Sequence, residues 1–255
     1  MICACHSDGR PSSDSSSRTE AAPDAPVLVS TNDLANVLRI TTNRPLAASA
    51  QKILGKHTVF LNPEGSLTAQ FSLVSVFSTE YELVSKLAEC LAGSSGKVRK
   101  QPDGSLLYIN ETKERFNIRV IHDECDSNHF EGVYYITTDR GFITIEALIH
   151  LESRPGPDGT IRYAVHIYAD SNSRILNFLS RISLVRNYLT HEVNDMVAKF
   201  DTVYAQILSD PQKHLGTLME FRDPTGSLYF SDREMKLIRI FVETLPKSRP
   251  TTETP

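Results

Sequence analysis

The sequence predicts an α+β fold in which a curved antiparallel sheet of about seven strands grips a long C-terminal helix, with an extension at either end. Two observations predict it. Seven short segments between residues 66 and 170 alternate apolar and polar side chains, and turn signals separate most of them. Residues 171–208 then carry apolar side chains at steps of three and four, which make one continuous helical stripe.

Composition and charge exclude several classes of protein. The 255 residues are 40% hydrophobic and 23% charged, which is an ordinary globular balance. A formal net charge of −4 without a basic stripe argues against nucleic-acid binding. No apolar run approaches the roughly 20 residues that cross a bilayer, so we expect no transmembrane segment.

The two ends of the chain are expected to be disordered. Residues 1–29 are rich in Ser, Pro, Asp and Ala and hold too few apolar side chains to offset chain entropy. Residues 247–255 are expected to form a second disordered tail. A cytoplasmic location is the first expectation. The alternative is a lipid anchor, because residues 2–5 (ICAC) resemble a bacterial lipobox in which Cys5 is acylated if the start codon is misassigned.

Residues 30–60 are predicted to form a helical extension. Leu34, Val37 and Leu38 recur at helical spacing. A second helical run begins with Pro45 at a first-turn position and stops at Gly55. We expect this extension to pack on the main domain.

The main domain is predicted to cover residues 61–210. After a turn at residues 62–65 (NPEG), residues 66–77 (SLTAQFSLVSVF) alternate in the way that a strand does. The period then changes to that of a helix, and Thr79 with Glu82 fits the capping box that begins one.

Six further segments return to the period of strands. Turn signals such as residues 102–104 (PDG) and residues 139–141 (DRG) join them. Sequential strands with short links favour an antiparallel meander. The six segments are residues 97–101, 105–110, 114–122, 129–138, 142–153 and 160–170.

The long helical stripe and a C-terminal extension complete the predicted fold. At 1.5 Å per residue, the helix at residues 171–208 would span roughly 50 Å, so the simplest arrangement lays it across the sheet. Residues 211–246 are predicted to form a hairpin around residues 224–226 (PTG), followed by a helix that begins near Ser231 or Asp232.

The order strand, helix, six strands and long helix resembles the START-like superfamily, also described as helix-grip or SRPBCC-type. The resemblance covers about residues 65–210. In that superfamily the sheet wraps around the C-terminal helix and a cavity lies between them. The resemblance therefore implies that this chain binds a hydrophobic or amphipathic, lipid-like small molecule and does not catalyse a reaction.

Each predicted strand has two faces, and the apolar one is expected to line the cavity. In residues 142–152 one face is wholly apolar, whereas the other holds Glu146 and His150. Arg119 and His166 fall on the same second face, which we expect to be solvated. The predicted cavity-lining residues are Phe116, Ile118, His122, Tyr135, Ile145, Ile149, Tyr163, Val165, Phe178, Ile182 and Leu189.

Two alternatives to ligand binding stay open. The chain could be an aromatase/cyclase- or hydrolase-like enzyme of the same superfamily, with Tyr163, His122 and Tyr135 as acid–base groups. Bulky side chains such as Phe178 and Leu189 could instead fill the interior. That would leave a structural domain that contacts a protein partner through its C-terminal extension.

No cofactor, catalytic residue or metal ligand is assigned from the sequence. It contains no nucleophile elbow or phosphate loop, and its cysteines and histidines lack the spacing of a zinc site. Asp123, Glu124 and Asp126 lack the spacing of a calcium loop. The expected partner is an apolar small molecule or lipid.

Overall fold

An eight-stranded antiparallel sheet forms the centre of the protein, and helices pack on both of its faces. The computed structural model describes residues 31–41, 43–67, 71, 77–173 and 183–244. The sheet is curved and does not close into a barrel. The predicted α+β fold is confirmed.

Six consecutive strands form the predicted meander, and two short strands add to its edge. The strands are β1 (Val59–Leu61), β2 (Glu64–Leu67), β3 (Lys97–Lys100), β4 (Leu106–Ile109), β5 (Arg115–Cys125), β6 (Phe130–Arg140), β7 (Ile143–Pro155) and β8 (Ile161–Ser171). They follow the order β1-β8-β7-β6-β5-β4-β3, with β2 also paired to β8. Gly104 and Gly141 have positive φ angles of 82° and 67° in two of the predicted turns, a conformation that favours glycine.

The edge beside β8 differs from the prediction. Both β1 and β2 pair with β8, so together they act as one strand interrupted at Pro63, whose carbonyl accepts a hydrogen bond from Val165 N–H at 2.9 Å. The strand predicted at residues 66–77 is wrong at its described positions beyond Leu67, because Phe71 and Phe77 are helical. Alternation over a short apolar run cannot distinguish a strand from a buried helical segment, and Phe77 packs against Phe241 in the core.

Two helices precede the sheet in the chain, where the sequence predicts helices. They are α1 (Thr31–Ile40) and α2 (Arg44–Lys56). Asn43 caps α2, since its Oδ1 accepts a hydrogen bond from Leu46 N–H at 3.2 Å, and Pro45 lies in the first turn as predicted.

Helix α3 (Tyr81–Ala92) covers the free edge of the sheet beside β3. The predicted capping box is wrong: the N-cap residue is Glu80, and Glu82 instead accepts a hydrogen bond from Lys100 N–H at 2.8 Å. Ser85 Oγ similarly accepts one from Val98 N–H at 3.0 Å. These side chains satisfy edge donors that would otherwise be open to pairing with another chain.

Three helices follow the sheet: α4 (Ser183–Ser209), α5 (Pro211–Glu220) and α6 (Asp232–Thr244). The predicted helix at residues 171–208 is confirmed from Ser183 onward, whereas Ser171 belongs to β8 and residues 174–182 lie outside the described residues. The predicted hairpin is reduced to one bridge between Arg222 and Leu228, because α5 takes up its first half.

Helices α1 and α2 pack on one side of the sheet, which we call the α1–α2 face. Leu34 and Leu38 of α1 are fully buried and Ile53 of α2 is nearly so. They contact the fully buried sheet residues Val133 and Leu148. This extension therefore forms a second apolar core.

The opposite side of the sheet, which we call the α4 face, carries the other helices. Val197 of α4 packs against a buried cluster that β1 and β8 form, which consists of Val59, Leu61, Val165, Ile167 and Ala169. Farther along α4, Tyr204 and Ile207 join α3, α5 and α6 in a core that also includes the start of β6 and β8. Among the described helices, none is both long and apolar enough to cross a membrane.

Candidate functional site

Six of the predicted cavity residues share the α4 face. The pairing of Ile118 with Ile136, and of Ile136 with Ala147, carries this face across the centre of the sheet. Since side chains two apart on a strand share a face, the register places the six residues together. They are Phe116, Ile118, Ile145, Ile149, Tyr163 and Val165.

Burial divides the α4 face into two halves. Near β8, Val165, Ile167 and Ala169 are all less than a tenth exposed, beneath α4 and beside β1. On β5 and at several positions of β6 and β7, the apolar side chains are only half-buried. We call the following six residues the apolar patch: Phe116, Ile118, Val120, Ile136, Ile145 and Ile149.

Tyr163 supplies a polar group elsewhere on the α4 face, where it pairs with Ser153 of β7. Its ring lies over Gly65 of β2, where a Cβ atom would come within 2.6 Å of the Tyr163 hydroxyl. Burial raises the pKa of Tyr163, and the carboxylate of Asp201 on α4 adds to the effect. The hydroxyl is therefore a neutral donor and acceptor at physiological pH.

Two predicted cavity residues lie on the other face. A β-bulge between Val120 and His122 inserts Ile121 into β5, and this extra residue turns His122 to the α1–α2 face. Tyr135 is also buried there, beneath α1 and α2, and its hydroxyl donates to Glu146. Burial and this hydrogen bond raise the pKa of Tyr135 to about 12.

The proposed acid–base trio is therefore not brought together. Tyr163 lies on the α4 face, whereas His122 and Tyr135 lie on the opposite side of the sheet. Phe178 and Ile182 lie outside the described residues, and Leu189 lies within α4.

The α1–α2 face holds ionisable residues that neighbouring strands place opposite one another. Glu131 of β6 pairs with Glu152 of β7, and His150 of β7 pairs with His166 of β8. The bulge brings His122 of β5 to the same region. We call these five residues the His–Glu cluster.

The expectation of a solvated second face is wrong for His150 and His166. His150 is 1% exposed, and Glu152 and His166 are each 7% exposed. The side chains of Glu131 and His122 are 17% and 24% exposed, so these two residues form the side of the cluster that faces solvent. Arg119, by contrast, keeps half of its side chain exposed, as expected.

Close contacts join the members of the cluster. His150 Nε2 donates a hydrogen bond to Glu131 Oε1 at 2.7 Å and lies 3.8 Å from Glu152 Oε1. His122 Nε2 lies 3.7 Å from Glu131 Oε2. Glu131, His150 and Glu152 each place one potential ligand atom within 4.8 Å of the others, so these three residues could hold a metal ion.

The environment shifts the pKa values of the two carboxyl groups in opposite directions. The hydrogen bond from His150 lowers the pKa of Glu131, although burial opposes the shift. Burial raises the pKa of Glu152, and the nearby histidines only partly offset it. Burial also lowers the pKa of His166, with a further contribution from His150.

Comparisons with known proteins identify no family. The sequence matches no protein-family model and no curated protein. A conserved protein from Geobacillus kaustophilus is similar in structure over 58% of this chain and 97% of its own, with 13% identity and a TM-score of 0.45. A hypothetical protein from Helicobacter pylori is similar over 60% of this chain and 89% of its own, with 12% identity and a TM-score of 0.42. Such low values assign no function.

Proposed function

We propose that this chain binds a hydrophobic or amphipathic, lipid-like small molecule in the cytoplasm, between the α4 face and α4, in a START-like helix-grip arrangement. The observation that carries the proposal is the apolar patch. Its six side chains share one face of the sheet across β5, β6 and β7, yet each remains only half-buried.

The physical reason is that apolar surface in contact with water is unfavourable in free energy. Each Å² of apolar surface removed from water contributes about 25 cal/mol, so a ligand that covered the patch would gain affinity from it. Small-molecule sites are mostly apolar with a few polar groups that orient the ligand. Tyr163 would be such a group, since its hydroxyl lies on the α4 face beside Asp201 of α4.

The natural chain contains no tryptophan, so a single introduced indole can report on the patch. Phe116 is a conservative position for it, because its ring already stacks on Tyr108 at a centroid distance of 5.8 Å. With oleic acid as the probe, we expect Phe116→Trp to show a saturable blue shift of fluorescence. Ile240→Trp is the matched control, since Ile240 is a 41% exposed apolar residue of α6 that is not part of the patch.

Native mass spectrometry of protein purified from cells provides a second readout, in which a retained apolar ligand supports the proposal. An interior void below about 300 Å³ in an experimental structure, together with no response of Phe116→Trp to oleic acid, would contradict it. That result would favour the alternative of a filled core and a structural role.

A further inference from the structure

The His–Glu cluster has the donor set of a transition-metal site. Glu131 and Glu152 offer carboxylate oxygens, and His150 offers a ring nitrogen. Imidazole together with carboxylates suits zinc and its neighbours in the first transition row, whereas calcium and magnesium prefer oxygen ligands alone. Three protein ligands also leave a coordination position for water, as in many zinc sites.

The spacing of the three residues fits a single ion. Zinc bonds to nitrogen and oxygen are about 2.0–2.2 Å long, so two ligands of one ion lie about 3–4 Å apart. The distances from His150 Nε2 to Glu131 Oε1 and Glu152 Oε1 are 2.7 Å and 3.8 Å. Small side-chain rotations would therefore bring all three within bonding distance.

The buried charge favours a cation at this position. Two carboxylates directly opposite one another on neighbouring strands repel, and Glu152 is 7% exposed. Arg154 Nη2 lies 3.6 Å from Glu152 Oε2, on a side chain that is 53% exposed. The other oxygen, Oε1, faces His150. A divalent ion bound to both carboxylates and neutral His150 would balance the charge.

Unpaired nitrogen atoms give a second, independent indication. Within the described residues, the buried atoms without a hydrogen-bond partner include His166 Nε2, His150 Nδ1 and His129 Nε2. The His166 ring packs edge-on against His150 at a centroid distance of 6.2 Å. Buried polar atoms are normally satisfied, so the unpaired Nε2 of His166, which is 7% exposed, indicates that a hydrogen-bonding or coordinating partner is missing beside the cluster.

We propose that Glu131, His150 and Glu152 bind one divalent transition-metal ion, with zinc as the reference ion. The site lies on the α1–α2 face, so it is independent of the lipid-like ligand proposed for the α4 face. An ion would reach it from the side of Glu131 and His122, which are its partly exposed members.

The test uses the full chain with Cys3→Ser and Cys5→Ser, because thiols at these positions would bind zinc themselves. After removal of metal with a chelator, zinc chloride is titrated by calorimetry. We expect one ion per chain, with magnesium chloride giving no comparable binding. Glu131→Gln and Glu152→Gln should each weaken zinc binding at least about tenfold. His191→Gln and Glu220→Gln, both at exposed positions, should leave it unchanged.

Thermal melting separates a metal site from a purely structural ion network. With a metal site, zinc raises the melting temperature of the parent but not of Glu152→Gln, and metal-free Glu152→Gln melts at or above the parent because a buried charge is gone. The alternative is an ion network in which a protonated His150 lies between the two carboxylates. In that case Glu152→Gln melts lower than the parent, and zinc has no effect on either chain. That outcome, or equal zinc affinity in the parent and both Gln variants, would overturn the proposal.

Discussion

The two faces of the sheet differ in how completely their side chains are buried. Four helices pack on the α4 face, yet a patch of six apolar residues there stays half-buried. Two short helices pack on the α1–α2 face, yet they cover several of the most deeply buried side chains, and ionisable residues are also buried on that face. The composition of a face therefore does not determine its burial. What decides it is where the helices pack.

Adjacent residues of β7 show this contrast most directly. Leu148 is fully buried against α1 and α2, whereas Ile149 on the other face is only partly buried. The two side chains have the same volume and share one strand. The difference between them therefore lies in their surroundings: Leu148 belongs to the core that α1 and α2 form with the sheet, whereas Ile149 lies at the margin of the cluster around β8.

The largest expected effect is the loss of Leu148. Leu148→Ala leaves a cavity in a site that is fully enclosed, and it should lower the free energy of unfolding by about 3 kcal/mol. Ile149→Ala is the matched control and should cost about 1.5 kcal/mol, because part of that side chain already contacts solvent. Urea unfolding of both variants measures the difference. Equal costs would show that the faces are equally packed, and would remove the main support for a ligand on the α4 face.

Much of this architecture could be predicted because strands and turns are local. The period of two and the glycine turns locate β3 to β8, and the step of three and four locates α4. Helix α5 was missed although Asp210 and Pro211 form a helix start, with Lys213 N–H donating to Asp210 Oδ1 at 3.0 Å. The turn signal of residues 224–226 predicts a hairpin instead, and that hairpin would include the end of α5.

The candidate sites were less accessible from the sequence, because each depends on contacts between distant segments. The single extra residue at Ile121 reverses the face of His122, and alternation alone cannot show a bulge. Likewise, the pattern Glu146, His150, Glu152 on one face of β7 is typical of a solvated strand. His150 and Glu152 are nevertheless 1% and 7% exposed, which no local pattern reveals.

A smaller effect on stability should depend on pH, and it concerns an ion pair on the α4 side of the sheet. On the α4 side, Lys86 of α3 and Glu234 of α6 form an ion pair, with Nζ and Oε1 2.7 Å apart and side chains 29% and 14% exposed. Burial would raise the pKa of Glu234, but hydrogen bonds from Lys86 and Ser231 lower it below its ordinary value. The pair therefore stabilises the fold above the unfolded pKa of about 4.3, and this stabilisation is lost as the pH falls through the folded pKa.

Glu234→Gln should consequently lower the free energy of unfolding by about 1–2 kcal/mol at neutral pH, and the difference from the parent should shrink toward zero in acid. Glu243→Gln, at an exposed position of the same helix, should differ little from the parent at any pH. Denaturant unfolding across the acid range measures both. A pH-independent cost for Glu234→Gln would mean that lost packing, and not the ion pair, accounts for it.

The smallest expected effect concerns the packing of the Tyr163 ring over Gly65 on the α4 face. In Gly65→Ala the new Cβ would lie 2.6 Å from the Tyr163 hydroxyl oxygen and 2.8 Å from Cζ, so the ring must move, at a cost of about 1 kcal/mol. Gly55→Ala, in α2, meets no atom within 4 Å and should instead stabilise by about 0.5–1 kcal/mol through helix propensity. In a Tyr163→Ala background the cost of Gly65→Ala should disappear, which urea unfolding of the four chains can show. If the cost persists in that background, strain in β2 is its source. The position of the Tyr163 ring then does not depend on the absence of a side chain at Gly65.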